Sequence, residues 1–483
     1  MQAEALLRDI TDYCRRTGVA ESTFGRLVVN DGKFVNRLRD GGKITTTTYE
    51  RVRSFIAGDG RNGADGAAPP YGAVDAPARA ADAAAGAAAG AVAADRAAGP
   101  KDGAPGAAGP KDRNFRFFDN RQKYLLFVNT CSEKQVVAQR VAMELANIHP
   151  RPPAVRVFDA GVGDGTVLTR VMRAMHNRFA TMPFYIVGKE ISLEDVRLAL
   201  EKMPDRYFEH PATVLVMTNL YYREAPWLVP SSVAAATGLV WHELALTGTT
   251  AHEFEEQITA LGPFLAEHWR AQLSPASGNP VYERPAVLVI YREDHRFLLD
   301  PIIPRRGGAS ADYDLVIASQ PYRLRAPLEF KAEKVIAPLA RSLGPGGRLL
   351  GIHSHGNDPG LEILQGVWPG ESPFRHDRHQ LLKTVKESLG NAARHMNFNA
   401  YADARSLFRY HMHTLPTEIS ESIGTSTLFA AWNAAVYVGQ IEDARLEGVL
   451  TDRRYLQVTG DVLHKHNGLW FWDESYVISR RRD

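Results

Sequence analysis

The apolar and polar positions divide the chain into three stretches. Up to residue 57, apolar residues recur at helical spacing, with Leu6, Leu7, Ile10 and Tyr13 on one face. Two further short helical segments, 21–27 and 33–39, flank an Asn30-Asp31-Gly32 turn. Gly41-Gly42 ends the second of them, and Thr45 to Thr48 offer N-caps to a helix over 49–56. The pattern predicts a small all-α domain over 1–57. Residues 58–112 are mostly Ala, Gly, Pro and Asp, with Gly-Pro-Lys-Asp at 99–102 and again at 109–112. So little apolar surface cannot offset the entropy of ordering, so this stretch is expected to be a disordered tether. As a flexible coil its ends would average roughly 40 Å apart.

From 113 to 483 the pattern is globular. It opens on Phe115, Phe117, Phe118, Tyr124, Leu125 and Phe127, followed by a helix carrying Val136, Val137, Val141 and Leu145, with Ser132 as its cap. Pro150, Pro152 and Pro153 close that helix. Buried-type strands are then expected at 155–159, 184–190, 212–217, 312–318 and 348–353, with helical stretches between them, including 193–203 and 327–342. Strands alternating with helices predict a parallel sheet with right-handed crossovers.

Residues 220–311 interrupt the alternation. Tyr221, Tyr222 and Trp227 open a loop whose aromatics are expected to form the insert's own core, the alternative being to line a substrate pocket or hold a cation by their ring faces. A long helical stretch is expected over 241–273 and an extra strand over 286–291. Beyond 380, helices are expected over 381–389 and 427–438. A final pair of strands, 455–463 and 469–478, is expected to be joined by an Asn467-Gly468 hairpin turn.

Composition adds mainly exclusions. The 483 residues have a formal charge of +2, which gives no whole-chain argument for nucleic acid or membrane. Two cysteines are too few for a disulfide framework or a zinc site and suit a cytoplasmic location. The first residues have acids and no sustained apolar run, so no signal peptide is expected, and no apolar run is long enough to predict a membrane span. His353, His355, His376 and His379 have no spacing that enforces a metal site.

The chemistry concentrates at 155–168. A strand ends in Asp159, the chain turns on Gly161, Gly163 and Gly165, and a helix begins with Val167 and Leu168. A dinucleotide-binding G-x-G-x-x-G would need its third glycine at 166, which is Thr166. The D-x-G-x-G-x-G present resembles motif I of the class I S-adenosylmethionine-dependent methyltransferases. A Leu343-Gly344-Pro345-Gly346-Gly347 turn before a later strand resembles a second signature of that family. The resemblance covers 113–483 and implies a doubly wound α/β fold: a seven-stranded, mostly parallel sheet whose last strand is antiparallel. It implies S-adenosyl-L-methionine as cofactor, with Asp159 and the three glycines at its amino acid end, Glu190 at its ribose, and Thr218 and Asn219 near its adenine.

Ser319-Gln320-Pro321-Tyr322 resembles in part the family's acceptor motif, with Gln320 where a proline is usual. Ser319 and Tyr322 are the substrate-side candidates, and His353 is a candidate general base. The expected activity is methyl transfer to a small molecule or a protein side chain. Alternatives are a DNA-binding regulator that senses the cofactor, and a nucleic-acid methyltransferase.

Residues 1–57 resemble a lambda-repressor-like helix-turn-helix, which implies a recognition helix offering Lys33, Asn36, Arg37 and Arg39 to DNA. Ten Lys and Arg against seven Asp and Glu is only a modest excess there, so a docking or dimerisation module stands beside the DNA reading.

Overall fold

Runs of Val, Ile and Leu bounded by glycine and proline build a central sheet whose strands are buried on both faces. The computed structural model describes residues 2–17, 21–29, 31, 33–40, 44, 46–58, 121–274, 279–414, 418–419 and 423–482. These fall into two compact units, within 1–81 and 82–483. The expected tether beyond Gly58, and Phe115, Phe117 and Phe118, lie outside the described residues.

In chain order the strands are β1 (Val155–Asp159), β2 (Phe184–Lys189), β3 (Thr213–Thr218), β4 (Val240–Leu246), β5 (Ala271–Leu273), β6 (Pro280–Tyr282) and β7 (Ala286–Arg292). Later in the chain come β8 (Tyr313–Ser319), β9 (Leu343–Ser354), β10 (Met396–Asn399), β11 (Leu407–His411) and β12 (Trp470–Arg480). The main sheet runs β10-β12-β9-β8-β1-β2-β3-β7-β4, with β11 also paired to β12, while β5 and β6 form a separate hairpin. Strands β9, β8, β1, β2 and β3 are mutually parallel. The chain winds outward from β1 to β3 and then returns to β8 on the other side of β1. The switch point is therefore between β1 and β8, where open α/β sheets place a ligand.

The main sheet has ten strands rather than the expected seven. Two come from the insert: β7 lies antiparallel to β3, and β4 lies parallel to β7. The strand expected at 286–291 is β7, but 240–246 is strand where the helical reading began. Val240 and Leu244 pack against one core cluster, and Trp241 and Ala245 against the other. That alternation is the period of a strand. Two shorter helices, Ala251–Thr259 and Gly262–His268, replace the long one. At the opposite edge, β10 and β11 pair with successive parts of β12.

The last strand, β12, is antiparallel to β9 as expected. Its supposed hairpin partner is instead the helix Arg454–His466, which buries Tyr455, Thr459, Val462 and Leu463 at helical spacing. Asn467 (φ 51°) is the left-handed exit of that helix, and the Gly468 amide donates to Leu463 O at 3.1 Å. Asn-Gly suits both turns, and helical burial decides between them. Ser132 precedes the helix Glu133–Glu144 without capping it. Its hydroxyl exchanges hydrogen bonds with the His411 backbone instead, at 3.3 and 3.1 Å.

Apolar side chains fill both sheet faces. A third cluster, including Tyr124, Phe127, Trp432 and Phe471, lies among the helices Arg121–Thr130, Pro359–Val367, Thr425–Val438 and Arg454–His466. Tyr222 is buried in the first core cluster. The N-terminal unit packs helices Gln2–Thr17, Glu21–Val29, Phe34–Arg39 and Thr46–Gly58 around Leu6, Ile10, Phe24, Val35 and Val52. Among the described residues, no helix is long and apolar enough to cross a membrane.

A buried charge network ties the helix Glu133–Glu144 to the sheet. Glu144 accepts from Arg140 Nη1 at 3.0 Å and from Arg348 Nε of β9 at 2.9 Å, while Arg140 Nε donates to Ser475 Oγ of β12 at 3.0 Å. Glu144→Ala leaves two guanidinium groups without their shared partner. It is expected to cost about 3–5 kcal/mol, measured by urea unfolding. A loss below about 1 kcal/mol would show that the network does not hold this helix.

Candidate functional site

Strand β1 ends at the switch point, where Asp159 shapes the turn into the next helix. Its Oδ1 accepts from the Gly161 amide at 3.2 Å. The Val162 amide donates to Lys189 O of β2 at 3.1 Å, and the Gly163 amide (φ 55°) donates to Glu190 Oε2 at 2.9 Å. The turn is therefore stitched strand to strand before the helix Thr166–Arg178 begins.

The three glycines serve different purposes. A Cβ on Gly165 (φ 80°) would stand 2.8 Å from Ala199 Cα, so this glycine permits close packing of the helix Leu193–Glu201. A Cβ on Gly161 would meet nothing within 4 Å. Open space begins there.

Glu190 stands at the carboxyl end of β2 and is 2 % exposed. Besides the Gly163 contact, its Oε1 accepts from the amides of Ile191 and Ser192 at 2.8 and 3.0 Å. Its backbone carbonyl accepts from Trp269 Nε1 at 2.9 Å. Burial pushes its carboxyl upward, against the pull of the Lys189 ammonium and the three amides. Lys189 is itself buried, with Nζ 4.8 Å from the Tyr222 ring centroid, and burial lowers its pKa to about 8. Burial raises the Asp159 carboxyl to about 7; the Gly161 amide opposes this, Glu190 adds to it, and Lys134 lowers it slightly.

Thr218 and Asn219 lie at the end of β3, but their side chains are committed to the insert. Thr218 Oγ1 donates to Ala286 O at 2.8 Å. Asn219 accepts from the Ala286 amide and donates to Arg284 O, both at 2.8 Å. An adenine contact through these groups would require giving up bonds that hold β7 to β3.

On the other side of the switch point, Ser319 ends β8 and is half-buried. Gln320 follows with φ 48°, a left-handed conformation that side chains rarely adopt. Its amide nitrogen donates to Ser354 Oγ at 3.1 Å and to Asp473 Oδ1 at 3.3 Å. Its amide oxygen accepts from the Ser354 amide at 3.3 Å.

Tyr322 turns inward, its hydroxyl 2.5 Å from His353 Nδ1. His353 Nε2 lies 2.6 Å from Glu474 Oε1, and Glu474 Oε2 accepts from Arg378 Nη1 at 2.9 Å. Its bonds to His353, His355 and Arg378 hold the Glu474 carboxyl well below the usual carboxylate range, against the cost of burial. Both ring nitrogens of His353 are thus engaged. Any proton it handles passes through Tyr322 or Glu474 rather than directly to an acceptor.

The structure therefore gathers Asp159, Gly161, Gly163, Gly165 and Glu190 into one turn, with Ser319 at the end of neighbouring β8 and Tyr322 and His353 in a buried relay. Asp473, Glu474 and Arg378 escaped the sequence reading, and Gln320 entered it only as a departure from the acceptor motif. Glu474 lies 121 residues from His353 and meets it only because β12 pairs with β9 in the Glu474–His353 register. Among the described residues, no group of three or more His, Cys, Asp or Glu is arranged to hold a metal ion.

In the N-terminal unit, Asn36, Arg37 and Arg39 lie on the exposed side of Phe34–Arg39, with exposed Lys33 just before it. Arg37 pairs with Asp31 at 2.6 Å. Arg39 grips both carboxylate oxygens of Glu21 at 2.8 Å and donates to Asn36 Oδ1 at 3.0 Å.

No family model matches the chain, and no curated protein matches it. Solved structures similar to it include a sarcosine dimethylglycine methyltransferase from Galdieria sulphuraria, with TM-score 0.29 and 9 % identity, covering 75 % of this chain and 90 % of that one. A geranyl diphosphate methyltransferase solved with geranyl diphosphate and sinefungin has TM-score 0.27 and 11 % identity, covering 72 % and 78 %. The Haemonchus contortus phospholethanolamine N-methyltransferase 2, solved with S-adenosylhomocysteine, has TM-score 0.24 and 10 % identity, covering 77 % and 62 %.

Gly165→Ala is expected to lower stability by about 1–3 kcal/mol through overpacking against Ala199. Gly161→Ala should unfold at the wild-type temperature. Calorimetric scans of both variants check this, and equal losses would remove the division of labour between the two glycines.

Proposed function

We propose that residues 121–482 form a methyltransferase that uses S-adenosyl-L-methionine as its methyl donor. The observation that carries this reading is the joined pair of Glu190 and the glycine turn, which opens at Gly161 into space beside the switch point. Asp159 would hold the donor's ammonium, and Glu190 would accept the ribose hydroxyls through the lone-pair capacity its three amide bonds leave. Asp159, Asp164 and Glu190 are all buried around this turn. A pyrophosphate there would add negative charge to buried carboxylates, whereas a ligand with an ammonium and a sulfonium offsets it.

When bound, the cofactor supplies a methyl group on a sulfonium, so that the S–C bond breaks with its electron pair left on sulfur as the acceptor's bond to carbon forms. The chain's own contribution is to position the two reactants and to exclude water. Ser319 and Gln320 stand on the acceptor side, and Tyr322, backed by His353 and Glu474, fixes the floor beneath them. The acceptor is a small molecule or a protein side chain. For residues 2–58 the docking reading is favoured over DNA recognition, because Arg37 and Arg39 already spend their charge on Asp31 and Glu21.

Titration calorimetry with S-adenosylhomocysteine tests the proposal. Wild type is expected to bind, and Asp159→Ala to bind at least about tenfold more weakly, the loss of one charge-assisted contact. The ligand's ammonium favours ionised Asp159, whose carboxyl in the free protein titrates at about 7. Affinity is therefore expected to be full above that pH and to fall by up to about tenfold per unit below it. Absence of heat with the wild type would defeat the reading. A flat pH profile would remove Asp159 from it.

A further inference from the structure

The charge arrangement on the acceptor side goes beyond naming a methyl donor. Asp473 lies on β12 opposite Ser354 of β9 and is fully buried. Gln320 Nε2 holds its Oδ1 at 3.3 Å, while Oδ2 has no hydrogen-bond partner among the described residues. A buried carboxylate oxygen without a donor is costly, and proteins rarely keep one without a use.

Two further acids act on Asp473 through space, Glu133 of the helix Glu133–Glu144 and Asp358 at the start of Pro359–Val367. Asp358 is satisfied by the amides of Leu361 at 2.9 Å and Trp472 at 3.1 Å, and so serves as a cap. Glu133 lies 3.6 Å from Lys134 Nζ and so has a cation beside it. Burial, with Glu133 and Asp358 adding to it and Ser354 and Gln320 opposing, holds the Asp473 carboxyl well above the ordinary range.

Gln320 and Ser319 are half-buried at the end of β8, and Gln320 keeps its left-handed backbone while its amide bridges Ser354 and Asp473. A side chain clamped this way fixes Oδ1 and leaves Oδ2 as the oxygen without a donor among the described residues. A sulfonium has no hydrogen to donate to that oxygen. A hydroxyl could donate but would not favour the ionised form of this buried carboxyl, whereas an alkylammonium supplies both a donor and the positive charge that does.

We propose that Asp473 is the acceptor-side carboxylate and that the methyl acceptor is an aliphatic amine, bound through N–H···Oδ2, with Gln320 fixing the carboxylate's orientation. This substrate class rests on the methyl-transfer reading above. A proton passes from the ammonium nitrogen to Oδ2, the N–H bonding pair stays on nitrogen as its lone pair, and the carboxylate becomes a carboxylic acid. The raised affinity of buried Asp473 for a proton brings it toward that of an amine, so the neutral nucleophile forms without a separate base.

The full chain is titrated with ethylammonium chloride, with and without saturating S-adenosylhomocysteine, using ethanol and potassium propionate as controls. Binding is followed by ligand-observed NMR. Ethylammonium is expected to bind and the two controls not to. Asp473→Asn should weaken ethylammonium at least about tenfold, the loss of one charge-assisted contact, while S-adenosylhomocysteine affinity is retained. Gln320→Asn, which tolerates the left-handed backbone, is expected to weaken it by a smaller factor and serves as the deciding variant if Asp473→Asn does not fold. Ethylammonium that fails to bind, or binds both variants as it binds wild type, overturns the proposal. Loss of S-adenosylhomocysteine rather than ethylammonium in Asp473→Asn does the same, by placing Asp473 in the cofactor site. If wild type binds ethylammonium through Asp473 but not S-adenosylhomocysteine, the amine site stands and the methyl-transfer reading falls.

Discussion

The hydrogen bond from the Gly163 amide to the Glu190 carboxylate is the constraint on which the site depends. It joins the turn after β1 to the end of β2, and Gly163 can make it only because its backbone takes φ 55°. With the turn held there, Gly165 can lie against Ala199 and start the helix Thr166–Arg178, while Gly161 is left facing open space. The same bond helps keep a buried carboxylate in place, with the Lys189 ammonium acting on it through space. Three amides share the cost of its burial, which is how an acid can stand at a dry strand end and still have a lone pair for a ligand.

From that turn outward the site is built in two halves by the parallel sheet. Strands β1 and β2 carry Asp159 and Glu190. Strands β8, β9 and β12 carry Gln320, His353, Asp473 and Glu474, with Asp473 and Glu474 arriving from the antiparallel strand. Because successive side chains of a strand point to opposite faces of the sheet, neighbours on β12 serve different groups. Glu474 enters the relay with Tyr322, His353 and Arg378, and Asp473 meets Gln320. One strand thus supplies a carboxylate with both oxygens engaged, Glu474, and one with a single oxygen engaged, Asp473.

The local half was legible in the sequence and the long-range half was not. Asp159, the glycines and Glu190 are carried by a strand, a turn and a helix that follow one another, so spacing alone brings them together. The five parallel strands were legible for the same reason, since each is a short apolar run between turns. The misreadings came where two periods compete. Residues 240–246 alternate at a strand's period inside an expected helix, and 455–463 read as a strand although Tyr455, Thr459, Val462 and Leu463 share a helical face. Thr218 and Asn219 stand at a strand end as their pattern implies, but only the pairing of β7 with β3 shows their side chains tied to Ala286 and Arg284. Glu474 carries no local signal at all: its role is fixed by strand register.

The central claim is that Glu190 and the turn at Gly161 cradle an adenosyl amino acid. The most direct test is a crystal structure of the full chain grown with S-adenosylhomocysteine. The ribose hydroxyls are expected within hydrogen-bond distance of Glu190 and the ligand's ammonium at Asp159, with its chain crossing the space beside Gly161. Ligand density away from the β1–β2 edge, or none there while Gly161 still faces open space, would contradict the claim.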